Sequence, residues 1–170
     1  MGRLTHVDEK GRARMVDVGG KPDTERVAIA RGRVLMKPAT LSLITSGKVA
    51  KGDVFAVARV GAIMAAKRTS EIVPLCHPVP VTSLSADLWP GSDGASVEIE
   101  VTARCTGKTG VEMEALTGVS AAALTVYDMC KAVDRDMVVS DVRLVYKAGG
   151  KSGEFLREGE ALERHEKLSN

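Results

Sequence analysis

Residues 111–133, VEMEALTGVSAAALTVYDMCKAV, decide the fold. Between Ala115 and Tyr127 this stretch has no charged residue, and its apolar side chains recur at helical spacings of three and four. The pattern predicts one long helix that is apolar on nearly every side. Because one sheet can cover only one side of such a helix, we expect a second subunit to cover the other.

Strands and helices alternate on both sides of this long helix. Strands are predicted over residues 14–18, 25–36, 81–88, 95–104 and 137–147, and WPGSDG at 89–94 predicts a hairpin turn. Further helices are predicted over residues 39–45, after Pro38, and from Asp53, as a cap or a first-turn acid, to about Glu71. The fold class expected from this order is α+β, with an antiparallel sheet and helices packed on one of its faces.

Length and composition indicate a single compact domain. The chain has 170 residues, of which 44% are hydrophobic. We expect residues 1–12 to form a mobile N-terminal arm and residues 13–155 to form one α+β domain. Residues 156–170 are expected to form a charged C-terminal tail or a frayed helix.

The balance of residue types excludes several classes of function. Aromatic residues make up only 3% of the chain, which argues against binding of single-stranded nucleic acid by base stacking. The 24 basic and 22 acidic residues are too balanced for a dedicated nucleic-acid binder. No apolar run approaches the ~20 residues of a membrane span, so neither nucleic acid nor membrane is expected as a partner. Three widely spaced cysteines predict reduced thiols and a cytoplasmic location.

Charged residues appear abruptly at both ends of the long helix, with Glu112 and Glu114 at its start and Asp128 and Lys131 near its finish. The second pair lies at i, i+3, so a helix-surface salt bridge is one explanation. The spacing of Glu114 and Asp128 places them ~21 Å apart along the helix axis. No small reacting centre touches both in one subunit, so either the ligand is long or a neighbouring chain supplies one end. Antiparallel packing of this helix across a two-fold axis would bring the two ends together.

Two further motifs offer chemistry. In LCHP, residues 75–78, adjacent Cys and His residues are a weak metal signal, so no metal site is expected. His77 is the better candidate for proton transfer or hydrogen bonding. TGKTG (106–110) and GGKSG (149–153) lack the earlier glycine of a nucleotide-binding P-loop, because Thr102 and Val145 stand there. The first motif opens a helix, so an anion site fits it as well as a tight turn with a solvated lysine does.

Lysines recur near the predicted turning points, at Lys51, Lys67, Lys131, Lys147 and Lys151. A surface of solvated lysines would explain them without any function. If several of them converge, they form a pocket for a polyanionic substrate. A desolvated lysine in such a pocket can serve as a general acid or base.

Four long runs of the sequence identify a family. They are residues 15–21 (MVDVGGK), 51–78 (KGDVFAVARVGAIMAAKRTSEIVPLCHP), 106–137 (TGKTGVEMEALTGVSAAALTVYDMCKAVDRDM) and 142–155 (VRLVYKAGGKSGEF). Over residues 4–155 the chain resembles the cyclic pyranopterin monophosphate synthase family of molybdenum cofactor biosynthesis. The resemblance implies a ferredoxin-like domain in a homohexamer of three dimers, with active sites between subunits. It also implies a lyase that converts 3′,8-cyclo-7,8-dihydro-GTP to cyclic pyranopterin monophosphate and releases pyrophosphate.

The resemblance also implies roles for individual residues. Asp128 would be the catalytic acid or base, with Lys51 and Lys131 as its catalytic partners. The expected substrate-binding residues are Leu75, Cys76, His77, Glu112, Met113, Glu114, Lys67, Lys147 and Lys151. No cofactor is firmly implied, and Mg²⁺ bound with the substrate phosphates is left open. The competing hypotheses are a non-catalytic binding or scaffold module and a GTP cyclohydrolase-like enzyme that acts on GTP directly.

Overall fold

The computed structural model describes residues 12–162 of the chain. Its elements, in chain order, are β1 (Thr24–Leu35), α1 (Pro38–Thr45), α2 (Val54–Ala66), α3 (Thr69–Ile72), β2 (Val81–Pro90), β3 (Ser96–Gly107), α4 (Glu112–Cys130), β4 (Val138–Ala148) and β5 (Phe155–Leu156). The predicted N-terminal arm lies almost wholly outside the described residues. Within residues 12–162, no helix is long and apolar enough to cross a membrane.

The five strands form one antiparallel sheet in the order β2-β3-β1-β4-β5. Without β5, this strand order and the β-α-β-β-α-β succession are those of a ferredoxin-like fold, which confirms the predicted α+β class. Helix α2 packs against β2, and α4 packs against the three strands β1, β3 and β4. Thr24 lies opposite Gly107, and Val27 lies opposite Ala148. The start of β1 and the ends of β3 and β4 therefore meet at one end of the sheet, which we call the loop end.

Small side chains let α4 approach the sheet closely. Ala28, Ala30 and Val34 alternate along β1 and are fully buried. Gly32 continues this alternation, and a Cβ added to it would lie 2.6 Å from Cγ1 of Val119 on α4. The absence of a side chain at this position is what permits the contact between strand and helix.

Helices α2 and α4 run antiparallel and pack against each other. Helix α2 begins as predicted at Asp53, whose side chain accepts a 3.0 Å hydrogen bond from the backbone N–H of Ala56. Close approach of the two helices depends again on glycine, because a Cβ on Gly61 would lie 2.9 Å from Oγ1 of Thr125. The start of α2 therefore lies beside the end of α4, and the end of α2 beside the start of α4.

Three local predictions differ from the structure. Residues 14–18 form no strand, because an apolar pattern this short cannot distinguish a strand from an extended segment. The helix predicted to reach Glu71 ends at Ala66, where the Thr69 hydroxyl donates to the Ala66 carbonyl at 2.9 Å and a separate turn, α3, begins. The two-residue strand β5, which pairs with the preceding strand β4, was not predicted, because two residues are too few to show a period.

The described part of the C-terminal tail lies on the sheet face opposite the helices. Glu160 accepts hydrogen bonds from Arg31 on β1 at 2.7 Å and from Arg143 on β4 at 2.5 Å. Arg31 also pairs with the buried Glu100 on β3 at 2.6 Å. The ion pairs of Glu160 hold residues 157–162 against β1 and β4, while the domain boundaries themselves stay a prediction.

Candidate active site

Asp128 lies between two lysines at the C-terminal end of α4. One carboxylate oxygen lies 2.7 Å from Nζ of Lys51, and the other lies 2.7 Å from Nζ of Lys131. Lys51 also donates to the backbone oxygen of Asp128 at 2.9 Å. We call these three residues the aspartate cluster. The i, i+3 pair expected on the helix surface is therefore one half of a three-residue arrangement.

The loop between α1 and α2 brings Lys51 to Asp128. Gly52 donates to the Val49 carbonyl at 3.0 Å and has a φ of +100°, a conformation that favours glycine. The next residue, Asp53, caps α2. Lys51 is thus held at the start of α2, beside the end of the antiparallel α4.

The two lysines determine the charge state of Asp128. Hydrogen bonds from Lys131 and then from Lys51 lower the pKa of Asp128 to about 2. The hydrogen bond with Asp128 raises the pKa of Lys131. All three side chains are about half exposed, so a ligand can reach them. At neutral pH the cluster presents a carboxylate that can accept a proton, beside ammonium groups that can stabilise negative charge.

A second group of functional side chains lies at the N-terminal end of α4. Glu112 and Glu114 stand in its first turn. Glu114 is only 4% exposed, and burial, together with the negative charge of Glu112, raises its pKa. Cys76 lies close enough for both glutamates to affect its thiol. Burial raises the pKa of this thiol, and so do the negative charges of Glu114 and Glu112. We call Cys76, Glu112 and Glu114 the glutamate cluster.

The other two residues of the LCH motif, Leu75 and His77, lie beside the glutamate cluster. His77 is half-buried and lines a cavity of about 320 Å³ with Val18, Asp23 and residues 78–80 and 107–109. Leu75 is half-buried, and Met113 on α4 is exposed to 37%. Within residues 12–162, no group of three or more His, Cys, Asp or Glu side chains is arranged to hold a metal ion.

Two of the predicted lysines lie at the loop end. Nζ of Lys147 lies 3.5 Å from Oε1 of Glu112 and donates to the Ser152 hydroxyl at 2.6 Å. Lys151 lines a cavity of about 410 Å³ with Lys21, Pro22, Thr24, Arg26, Gly150 and Ser152. We call this the basic cavity. Lys108 of TGKTG donates to the Gly19 carbonyl at 2.7 Å and links two glycine turns, while the anion site considered for this motif stays a prediction.

Sequence reasoning missed three residues of the basic cavity: Lys21, Thr24 and Arg26. Nε of Arg26 donates to the Gly107 carbonyl at 2.9 Å, and its guanidinium lies against Gly150, where a Cβ would be 2.3 Å from it. The Thr24 hydroxyl oxygen is buried and has no hydrogen-bond partner among the described residues. One signal was available for Arg26, since it is a cation on the same face of β1 as the buried alanines.

The two clusters do not meet within one chain. Helix α4 lies between them, and its length keeps Asp128 and Glu114 ~21 Å apart along the axis. Lys67 follows the last turn of α2, at the same end of the molecule as the glutamate cluster. Predicted residues are therefore divided between two ends of one helix, as their spacing in the sequence indicated.

Comparisons with known proteins match most of the chain, including the residues of both clusters. A model of the MoaC family matches residues 15–150. The chain belongs to the MoaC family. Similar relatives named cyclic pyranopterin monophosphate synthase occur in Pelotomaculum thermopropionicum (61% identical, covering 94% of both chains) and Chloroflexus aggregans (61% identical, covering 94% of this chain and 96% of the relative). A third, from Thermomicrobium roseum, is 58% identical and covers 93% of this chain and 95% of its own.

The MoaC match covers the aspartate cluster, the glutamate cluster and Arg26, but ends one residue before Lys151. The relatives align over more than nine-tenths of the chain. The match therefore extends to both ends of α4 and is not confined to the core.

Within residues 12–162, several apolar side chains on the two packed helices are exposed. Val57, Val60 and Met64 on α2 and Leu124 on α4 are exposed to 46%, 56%, 53% and 63% respectively. We call this surface, which runs along the two packed helices, the α2–α4 face. The sequence predicted a long helix that needs a second covering surface, and Leu124 is the residue of α4 that the single chain leaves most exposed.

Proposed function

We propose that this protein is a lyase that converts 3′,8-cyclo-7,8-dihydro-GTP to cyclic pyranopterin monophosphate and releases pyrophosphate. The observation that carries the proposal is Asp128 held as a carboxylate between Lys51 and Lys131. Support comes also from the relatives in the MoaC family, which are named for this product. The substrate is a long polyanion with a purine-derived ring at one end, which suits an extended site that combines cations with carboxylates at both clusters.

The active site is shared between two chains of a cytoplasmic homohexamer built from three dimers. Support for sharing comes from α4, which separates the two clusters by ~21 Å. The exposed α2–α4 face supports it as well, since an apolar surface along this helix pair suits burial against a second copy. Antiparallel pairing of the two chains would then place one aspartate cluster beside the other chain's glutamate cluster. The three cysteines are free, which supports a reducing compartment.

The basic cavity and its neighbour Lys147 bind the phosphate chain of the substrate. Arg26 and Lys151 supply fixed positive charge there, and the Thr24 hydroxyl, which has no partner within residues 12–162, supplies a donor. As pyrophosphate leaves, negative charge grows on its oxygens, and these cations stabilise it. Lys67 contributes from the end of α2. Mg²⁺ would enter as a companion of the substrate phosphates.

Hydrogen bonds hold the heterocycle of the substrate. Aromatic residues are too few to sandwich it, whereas Glu114, His77 and neighbouring backbone groups offer donors and acceptors. Opening the purine-derived ring and closing the pterin ring move protons. The Asp128 carboxylate accepts a proton, and the Lys131 or Lys51 ammonium returns one to the developing negative charge. The cluster thus performs both transfers without a change in its total number of protons.

The test compares two substrates with the full-length protein. Pyrophosphate release and pterin formation are followed with 3′,8-cyclo-7,8-dihydro-GTP and, separately, with GTP. We expect product from the cyclised nucleotide only, and Asp128→Asn serves as the control for contaminating activity. Turnover of GTP itself would indicate a cyclohydrolase-like enzyme, and binding of either nucleotide without turnover would indicate a binding module. Both results would overturn the proposal.

A further inference from the structure

One buried carboxylate takes no part in the chemistry described above. Asp134 follows α4 by four residues and is only 2% exposed. Its Oδ2 accepts hydrogen bonds from the backbone N–H of Lys37 at 2.9 Å and from the Thr40 hydroxyl at 3.0 Å. Its Oδ1 lies 3.3 Å from Nζ of Lys37 and accepts from the N–H of Asp136. A buried charge with this many donors is strongly held in place.

Asp134 supplies the cap that α1 lacks in its own sequence. Lys37, the residue before α1, makes no side-chain capping bond. Asp134 instead binds the N–H of Lys37 and the side chain of Thr40 in the first turn of α1. The start of α1 is therefore attached to the residues that follow α4 rather than to its own neighbours.

The last turn of α4 and the residues just after it hold both ends of residues 37–51. Asp134 holds the start of this segment at Lys37, and Asp128 holds its end at Lys51. The backbone N–H groups of Val133 and Asp134 both donate to the Cys130 carbonyl, so Asp134 stands on the turn that also carries Lys131. The attachment at Lys51 joins two half-exposed side chains, and such ion pairs contribute little to holding a loop. The buried attachment at Asp134 is the stronger of the two.

We propose that Asp134 is a positioning residue of the active site, which holds α1 against the end of α4 and thereby places Lys51 beside Asp128. The inference rests on the proposed function, in which Lys51 acts together with Asp128 and Lys131. Asp134 itself is buried beneath this end of the molecule and touches no substrate. It acts by restricting where the loop that carries Lys51 can go.

The Asp134→Asn variant tests this role through separate values of kcat and KM. The amide nitrogen cannot accept the hydrogen bonds that one carboxylate oxygen accepts, so the start of α1 loosens. We expect kcat to fall about 10- to 100-fold, since small displacements of catalytic groups cost this much. KM should change less than about twofold, because the substrate-binding residues lie at the other end of α4.

The matched control is Glu100→Gln. Glu100 is another buried carboxylate, 3% exposed, and its ion pair with Arg31 lies on the sheet face opposite the helices. This variant should lose similar stability in thermal unfolding while keeping its kcat. Thr40→Val, compared with Thr40→Ser, provides a milder second test, because only valine removes the hydroxyl that Asp134 binds. We expect a lower kcat for the valine variant and an unchanged kcat for the serine variant.

A readout that needs no turnover separates this inference from the proposed function. Acetylation of Lys51 by acetic anhydride, measured by peptide mass spectrometry, should rise several-fold in Asp134→Asn, with Lys151 as the internal reference. Absence of product from the wild-type protein would overturn the proposed function. A folded Asp134→Asn variant with normal kcat, or with unchanged Lys51 acetylation, would overturn the positioning role. If Asp134→Asn does not fold, a normal kcat in Thr40→Val overturns it instead.

Discussion

Two lysines share one carboxylate at Asp128, and this sharing determines what the residue can do. A pKa of about 2 means that Asp128 stays ionised at every pH above about 4. In the proposed function this carboxylate accepts a proton, and its hydrogen bond raises the pKa of Lys131. Any loss of activity between about pH 7 and pH 5 must therefore arise from other groups.

Replacing Asp128 by Asn, or Lys51 by Ala in a separate protein, tests the aspartate cluster. Asparagine keeps the shape but cannot take a proton, so we expect product formation to fall about 100-fold or more. Lys51→Ala removes the cation that holds one carboxylate oxygen and should have a similar effect. Steady-state rates are compared after the size of each assembly has been checked. Near-normal product formation by either variant would remove that residue from the catalytic set.

The pKa of Glu114 is shifted upwards, whereas that of Asp128 is shifted downwards. Its burial in the folded chain raises its pKa above the ordinary 4.5, so the native state binds protons more readily than the unfolded chain. The resulting stability is fully present below the ordinary pKa and is lost as the pH rises through the folded pKa. Removing the charge with Glu114→Gln should therefore increase stability relative to wild type more at about pH 7 than at about pH 4. Urea unfolding midpoints at the two pH values measure this, and an equal difference at both would contradict it.

Among the elements of the fold, the contact between β1 and α4 depends on the absence of a side chain at Gly32. Gly32→Ala places a Cβ 2.6 Å from Val119, so strand and helix must move apart. We expect the free energy of unfolding to fall by about 1–3 kcal/mol, the usual cost of overpacking. Gly20→Ala is the control, because a Cβ there meets nothing within 4 Å. Urea unfolding of both variants gives the comparison, and equal stabilities would show that the core accommodates the methyl group.

Sequence periodicity predicted the long elements better than the short ones. The strand expected over residues 25–36 is β1 (Thr24–Leu35), and the helix expected over 111–133 is α4 (Glu112–Cys130). Long amphipathic or apolar patterns contain enough residues to define their period. The break after Ala66 depends instead on one threonine hydroxyl, and β5 has only two residues, which are too few to show a period.

Sequence motifs predicted the members of the candidate site better than their grouping. Spacing along one helix already indicated that Asp128 and Glu114 lie far apart. It could not show that Arg26, Thr24 and Lys151 line one cavity, because that depends on the register of β1 with β3 and β4. The roles of these residues stay proposals, whereas the three-way contact in the aspartate cluster is a feature of the structure.

At the scale of the whole molecule, a shared site predicts complementation between inactive variants. Asp128→Asn damages the aspartate cluster, and His77→Ala damages the group beside the glutamate cluster at the other end of α4, so each variant leaves the other's damaged group intact. In mixed dimers, one of the two sites receives both intact clusters, and random mixing should restore about a quarter of wild-type activity. The proteins are unfolded together, refolded and assayed, with each variant refolded alone as the control. No recovery in verified mixed assemblies would show that one chain forms the whole site.

The placement of Trp89 gives the protein a useful optical property. The chain has one tryptophan and two tyrosines, and the tryptophan lies in the edge strand β2, opposite Glu98. Near-ultraviolet absorption by the protein is therefore weak, so a change in absorption of a bound heterocycle would be measured against a low protein background. The emission of Trp89 remains a separate reporter for unfolding of the sheet edge.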